Sequence, residues 1–178
     1  AHVADRPDTH LWFSDERHMP VGDPQRNDSH LVDAGRAVIH RVPYVHNDPH
    51  EAARQYAAEL HLHTTTRFCS DNTMMDVTIV SVGPDGHIAS LFPHHAALNS
   101  VAAVTAIVDS PKPPPVRVTW TYPTINASRH VWLLATGADK AWAVAALRAH
   151  ADLCDIPAAG ATGKLETRLY TDVQPSLA

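Results

Sequence analysis

Asp76-Val77-Thr78-Ile79-Val80-Ser81-Val82 runs directly into Gly83-Pro84-Asp85-Gly86-His87-Ile88-Ala89-Ser90-Leu91-Phe92-Pro93. The first seven residues are rich in β-branched side chains and stop at a Gly-Pro pair, which reads as a strand ended by a turn. Further apolar runs lie at Leu11-Trp12-Phe13, from Val101 to Val108, from Val116 to Tyr122 and from Val131 to Ala135. The run from Val116 alternates with period two. The continuous runs predict strands buried on both faces, as in a parallel sheet. Helical patterns lie between them. Asp48-Pro49-His50-Glu51 supplies an N-cap, a proline at the first helical position and a glutamate at the third. Ala52, Tyr56 and Leu60 then recur every four residues beside Ala53 and Ala57, forming one apolar stripe. Asp139 is placed to cap a second helix over 140–150, with Trp142, Ala145 and Ala146 on its inner side. Strands alternating with helices predict an α/β three-layer domain.

The chain has 178 residues, enough for one domain with a substantial core, so 1–178 is taken as a single unit. Hydrophobic residues make up 44% and charged residues 19%, which argues against disorder. Trp120, Trp132 and Trp142 fall on apolar faces and are expected in the core. The 14 Lys and Arg are scattered, and the net charge is -5. Nucleic-acid binders concentrate basic charge on one face, so no nucleic-acid partner is expected. No apolar run reaches the ~20 residues of a membrane helix, and Ala1 to Pro7 has no apolar targeting core. A cytoplasmic protein is therefore expected, with Cys69 and Cys154 as free thiols.

In open α/β sheets, ligands sit outside the carboxyl ends of the strands. Three polar segments follow strand ends here. The first is Gly83-Pro84-Asp85-Gly86-His87, where glycine permits positive φ and close backbone approach of a ligand. Imidazole has a reference pKa of about 6.5, suited to taking a proton from water, and Asp85 can orient it. The bland reading is a type II-like turn carrying one exposed His of 14. The second segment is Ser14-Asp15-Glu16-Arg17, followed by Asp23-Pro24-Gln25-Arg26-Asn27. Arg17 offers a planar fork for phosphate or carboxylate, which Asp15 and Glu16 can hold; a surface ion-pair cluster is the alternative. The third is Lys112 within Pro111-Lys112-Pro113-Pro114-Pro115, either a phosphate anchor on a stiff loop or a solvated lysine. His61-Leu62-His63 and His94-His95 lack a third ligand at a recognisable spacing, so no metal site is predicted. There is no Walker A loop, no complete dinucleotide fingerprint and no nucleophile elbow.

Taken in order, five segments resemble the 6-phosphogluconolactonase family. They are Trp12-Phe13-Ser14-Asp15-Glu16-Arg17 with Pro20, Asp23 to Asn27, Gly83 to Pro93, Ser110-Pro111-Lys112-Pro113-Pro114 leading to Arg117-Val118-Thr119, and Gly137-Ala138-Asp139-Lys140. The resemblance implies a Rossmann-like three-layer sandwich with a mostly parallel sheet, shared with sugar-phosphate isomerases and deaminases. It implies hydrolysis of 6-phospho-D-glucono-1,5-lactone to 6-phosphogluconate, in the oxidative pentose phosphate pathway, with no metal and no organic cofactor. It implies His87 as general base, with Asp85 and Arg17 as its catalytic partners. The substrate would be met by Asp15, Glu16, Arg17, Asn27, Gly86, Lys112 and Arg117. A monomer or weak homodimer is expected, its partner a small phosphorylated sugar lactone.

Two departures matter. The family has a glycine-rich phosphate loop after its first strand, whereas only 14 residues precede Asp15 here and none is glycine. A strand–loop–helix unit, on the order of 30 residues, is therefore expected to be absent from 1–178. Gln25 also stands where the family often has Asp. The rival enzyme reading is a glucosamine-6-phosphate deaminase, which has Asp-Glu-Tyr in place of Asp15-Glu16-Arg17 and Phe-Asn-Glu in place of Ser90-Leu91-Phe92. The rival from another class is a non-catalytic paralogue that binds sugar phosphates.

Overall fold

The structure is a computed structural model and describes residues 8–31, 33–67 and 72–173. Cys69 and Ala1 to Pro7 lie outside the described residues, so the readings made on them rest on sequence alone. Cys154 is a free, exposed thiol.

Eight strands and three α-helices are described. In chain order they are β1 (His10–Trp12), β2 (Asp15–Arg17), β3 (Val38–His40), α1 (Pro49–Arg67), β4 (Val77–Ser81), β5 (Val104–Ile107), β6 (Arg117–Trp120), α2 (Tyr122–Ile125), β7 (His130–Ala135), α3 (Ala141–Arg148) and β8 (Glu166–Thr171). β1 and β3 pair in parallel, and β4, β7 and β8 form a second parallel sheet in that order. The third sheet, β2-β6-β5, is antiparallel. The architecture is thus α/β with mixed rather than uniformly parallel pairing.

The start of α1 follows its sequence signal. Asp48 Oδ1 accepts from the amide of Glu51 at 2.8 Å, the N-cap bond that an aspartate before a helix is suited to make. Ala52, Tyr56 and Leu60 are fully buried along one stripe, and α1 lies against β5 and β6. Tyr56 also ties α1 to β1. Its hydroxyl accepts from the amide of Phe13 and donates to the Phe13 carbonyl, both at 3.0 Å. That satisfies the backbone where β1 ends and the chain turns into β2.

Three expectations are corrected. β4 buries only alternate residues and leaves Val77 and Ile79 exposed, so it is not covered on both faces. Those side chains face a cleft of about 320 Å³ bordered on its other side by His10 to Asp15 of β1 and β2. Among the described residues, neither β1 nor β4 has a strand paired along that edge. Next, β6 is buried at all four positions despite its polar alternation, because it is the middle strand of its sheet with α1 beside it. Finally, Asp139 does not cap α3. A short 3₁₀ turn, Ala138–Lys140, precedes the helix, and Asp139 pairs with Lys140 instead. The inner face of α3 is then Ala143 and Val144, and Trp142 is 60% exposed rather than core. Trp120 is buried as expected.

Tyr56→Phe removes the one hydroxyl that serves both polar groups of Phe13. Leaving them buried and unpaired is expected to lower stability by about 1–3 kcal/mol. A denaturant midpoint measured against wild type checks this, and an unchanged midpoint would refute the tie between α1 and β1.

Candidate active site

The turn after β4 is built by its two glycines. The amide of Gly86 donates to the Gly83 carbonyl at 2.9 Å, with Pro84 and Asp85 as the central residues. Asp85 is not among the residues with positive φ, so this is a type I rather than a type II arrangement. The amide of Gly83 then accepts the chain back by donating to the carbonyl of His87 at 2.8 Å. The consequence is that His87 folds over Gly83. A Cβ at Gly83 would lie 1.9 Å from His87 Nδ1 and 2.6 Å from Asp85 Oδ1, so any side chain there would displace the pair. Gly86, at φ +79°, is packed against Ile156.

His87 is not an ordinary exposed histidine; its side chain is 19% accessible. Nδ1 lies 2.5 Å from Asp85 Oδ1. An ionised carboxylate only accepts, so the proton sits on Nδ1 and the lone pair on Nε2. Lys112 Nζ donates to the same Asp85 oxygen at 3.1 Å and lies 3.1 Å from His87 Nδ1. Burial pushes the His87 pKa below its ordinary 6.5 against the opposing hydrogen bond and charge of Asp85, and Lys112 lowers it further. Burial alone would raise the Asp85 pKa, but the hydrogen bond and charge of His87, together with Lys112, outweigh it and bring it to about 2. The result is an ionised carboxylate holding a neutral imidazole at neutral pH.

The loop that carries Lys112 is fixed from below. Arg117 donates from Nε to the Pro114 carbonyl and from Nη2 to the carbonyls of Lys112 and Pro113, each at 3.1 Å. Ser110 Oγ donates to the Lys112 carbonyl at 2.9 Å. The His87 ring packs at 4.9 Å from that of Phe92, which also sits under Lys112 and Arg117. Asp15 joins the group through Ser90, whose hydroxyl donates to Asp15 Oδ2 at 2.7 Å. Arg17 lies directly across the β2–β6 ladder from Arg117. Its Nη1 reaches the Gln25 carbonyl, but its Nε is buried with no acceptor. Like charges opposite each other across a ladder repel, and here Asp15 Oδ2 lies 3.9 Å from Arg117 Nη1.

Asp15, Asp85, His87 and Lys112 come together, while Arg17 stands two residues from Asp15 on β2, across the ladder from Arg117. Four of the expected substrate contacts are tied into the framework. Glu16 is fully buried beneath the site; its carboxylate accepts from the amides of Arg17, Asn27 and Asp28 and faces Arg26. Both polar backbone groups of Gly86 are spent, the amide in the turn and the carbonyl on the amide of Ala158. Arg117 is buried and occupied by its loop. Asn27 Nδ2 donates to the Asp15 carbonyl at 2.9 Å and so positions β2. Glu16 and Gly86 are committed to the framework, whereas Asn27 also lines the cleft and Arg117 Nη1 faces Asp15 Oδ2 at 3.9 Å. The contacts of Ser90 with β2 and of Phe92 with Lys112 are ones that no local spacing encodes. Arg26 is fully buried.

The family described as glucosamine-6-phosphate isomerases/6-phosphogluconolactonase matches residues 1–170. The chain belongs to this family. It is 41% identical over 177 residues to a 6-phosphogluconolactonase of Streptomyces coelicolor, covering 91% of this chain and 67% of that protein. A 6-phosphogluconolactonase of Mycobacterium tuberculosis is 42% identical over 176 residues, covering 92% and 70% respectively. Among solved structures, a 6-phosphogluconolactonase from Thermotoga maritima superposes with a TM-score of 0.77 at 27% identity, covering 96% of this chain and 75% of that one. The α/β fold is thus that of the family.

Two substitutions separate the framework from the chemistry. Glu16→Gln breaks a buried charge pair and is expected to cost roughly 3–5 kcal/mol of stability while leaving the KM of the surviving folded protein unchanged. A raised KM with normal stability would return Glu16 to the substrate surface. Gly83→Ala is expected to keep the fold but displace His87, visible as loss of turnover with near-native circular dichroism.

Proposed function

We propose that the chain hydrolyses 6-phospho-D-glucono-1,5-lactone to 6-phosphogluconate, with His87 as general base. The observation that carries this reading is the Asp85–His87 pair, which leaves a neutral Nε2 free to accept a proton. A lactone is an activated ester and needs no nucleophilic side chain. Nε2 takes a proton from water as the water oxygen attacks the ring carbonyl carbon. The tetrahedral oxyanion then collapses, the bond from C1 to the ring oxygen breaks, and Nε2–H returns the proton to that oxygen. Asp85 keeps the imidazole in one tautomer and stabilises its charged form. With the Gly86 amide committed to its turn, the negative charge is assigned to the cations. Arg17, across the ladder from Arg117, is the cation assigned to the phosphate or the oxyanion. Lys112 lies close enough to bind the substrate while setting the charge around His87.

A monomer or weak homodimer remains the proposed state. No described helix is long and apolar enough to cross a membrane. A cytoplasmic setting suits the exposed free thiol of Cys154. The deaminase alternative is disfavoured by Arg17 and by Ser90-Leu91-Phe92, where the deaminase pattern has Tyr and Phe-Asn-Glu. Release of ammonia from glucosamine 6-phosphate would reverse that preference. The absence of any turnover of fresh lactone would favour the non-catalytic paralogue.

His87→Asn is expected to lower kcat by about 10²–10⁴-fold with little change in KM. Near wild-type turnover, after subtraction of spontaneous hydrolysis, would exclude the mechanism. Activity should fall on the acid side as His87 gains a proton, with a midpoint below its ordinary 6.5 because burial disfavours the charged ring. Lys112→Ala removes a neighbouring positive charge and should move that midpoint upward while raising KM. Asp85→Asn removes the partner that favours protonation and should move it downward. Rate profiles of the three proteins against pH check both directions.

A further inference from the structure

Away from the Asp85–His87 pair, three imidazoles from three separate elements meet. They are His10 at the start of β1, His40 at the end of β3 and His63 on α1, with one ring nitrogen of each lying within 4.8 Å of the others. His10 Nδ1 lies 2.8 Å from His40 Nε2. Glu59, one helical turn before His63, places Oε1 2.5 Å from His40 Nδ1. A carboxylate there fixes the proton on Nδ1 and turns the Nε2 lone pair toward the other two rings. The same carboxylate–histidine arrangement orients metal-bound imidazoles and raises their basicity. Trp12 stacks flat on His40, at 3.7 Å between centroids and 3° between planes, and holds the ring in that orientation. His10 also lines the cleft between β1 and β4, which gives a path from solvent.

We infer that His10, His40 and His63 bind a divalent transition-metal ion, zinc foremost, with Glu59 as the outer carboxylate. Zinc takes imidazole nitrogens at about 2.0–2.1 Å in a tetrahedron, which sets neighbouring ligand nitrogens roughly 3.3 Å apart. Reaching that spacing from the observed one needs the His10–His40 contact to open slightly and His63 to rotate inward. Three protein ligands leave the fourth position to water. Bound there, the ion links β1, β3 and α1, so its effect is on stability, and none of the residues belongs to the hydrolytic group.

The test uses the untagged full chain and Zn²⁺ in competition with a chromogenic chelator, with Co²⁺ as a spectroscopic probe. One ion per chain is expected, with the visible absorption of tetrahedral, nitrogen-ligated cobalt and a rise in Tm on adding Zn²⁺. His63→Gln, a substitution on a helix surface that keeps the fold, should abolish the cobalt signal and the Tm rise. Glu59→Gln should weaken binding about 10–100-fold. His94→Ala, at an exposed histidine elsewhere, should change neither. Unaltered zinc affinity in His63→Gln, or octahedral cobalt with no rise in Tm, would overturn the site. Lactone turnover need not change in either outcome, so the result is independent of the proposed hydrolysis.

Discussion

The candidate site rests on a guanidinium that never meets solvent. Arg26 is fully buried and donates to both carboxylate oxygens of Asp28 and to the carbonyls of Met19 and Val42. A buried cation is tolerable only when its donors are met, and here nearly all are. Glu16 completes the cluster, its oxygens saturated by three backbone amides. Burial raises its pKa despite those bonds, whereas Asp28, although burial pushes it up, is held low by Arg26. The geometric result follows from the strand period of two. With Glu16 locked inward on β2, Asp15 and Arg17 on either side of it turn to the opposite face. Asp15 and Arg17 are therefore aimed by the residue between them.

A second constraint is steric rather than electrostatic. His87 can lie against Asp85 only because Gly83 has no side chain where the ring sits. The turn's hydrogen bonds occupy the Gly83 and Gly86 backbone, so the same few residues both end β4 and set the imidazole's tautomer. Arg117 does comparable service for Lys112 by gripping three successive carbonyls of the proline loop. Arginines thus differ in how far the framework commits them. The Arg17 guanidinium donates to the Gln25 carbonyl, while Arg117 and Arg26 hold several carbonyls and a carboxylate of the protein itself.

The three-histidine cluster shows a different use of polar groups. His10 and His40 come together because β1 and β3 run parallel in a register that sets His40 beside Trp12. His63 is brought in by α1, whose apolar stripe fixes its rotation over the sheets. The pair His61-Leu62-His63 gives no hint of this, since His61 makes no part of the group.

The sequence by itself determined the elements with local physical causes and singled out the candidate reactive groups. Asp48-Pro49-His50-Glu51 starts α1 because its cap is a local hydrogen bond, and the Ala52-Tyr56-Leu60 stripe is buried because its period matches the helix. Asp85, His87, Arg17 and Lys112 were legible because their segments follow strand ends and resemble a known pattern. Tertiary structure alone decided which charges face the cleft. Glu16 and Arg117 look as available as Asp15 and Arg17 in a linear reading, and only packing against Arg26 and the proline loop uses up their hydrogen-bonding groups. It also decided that Trp142 stays in solvent, because the 3₁₀ turn before α3 sets the rotation of that helix. Burial, like-charge opposition across a ladder and the meeting of His10, His40 and His63 are properties of distances between remote residues, and no local spacing contains them.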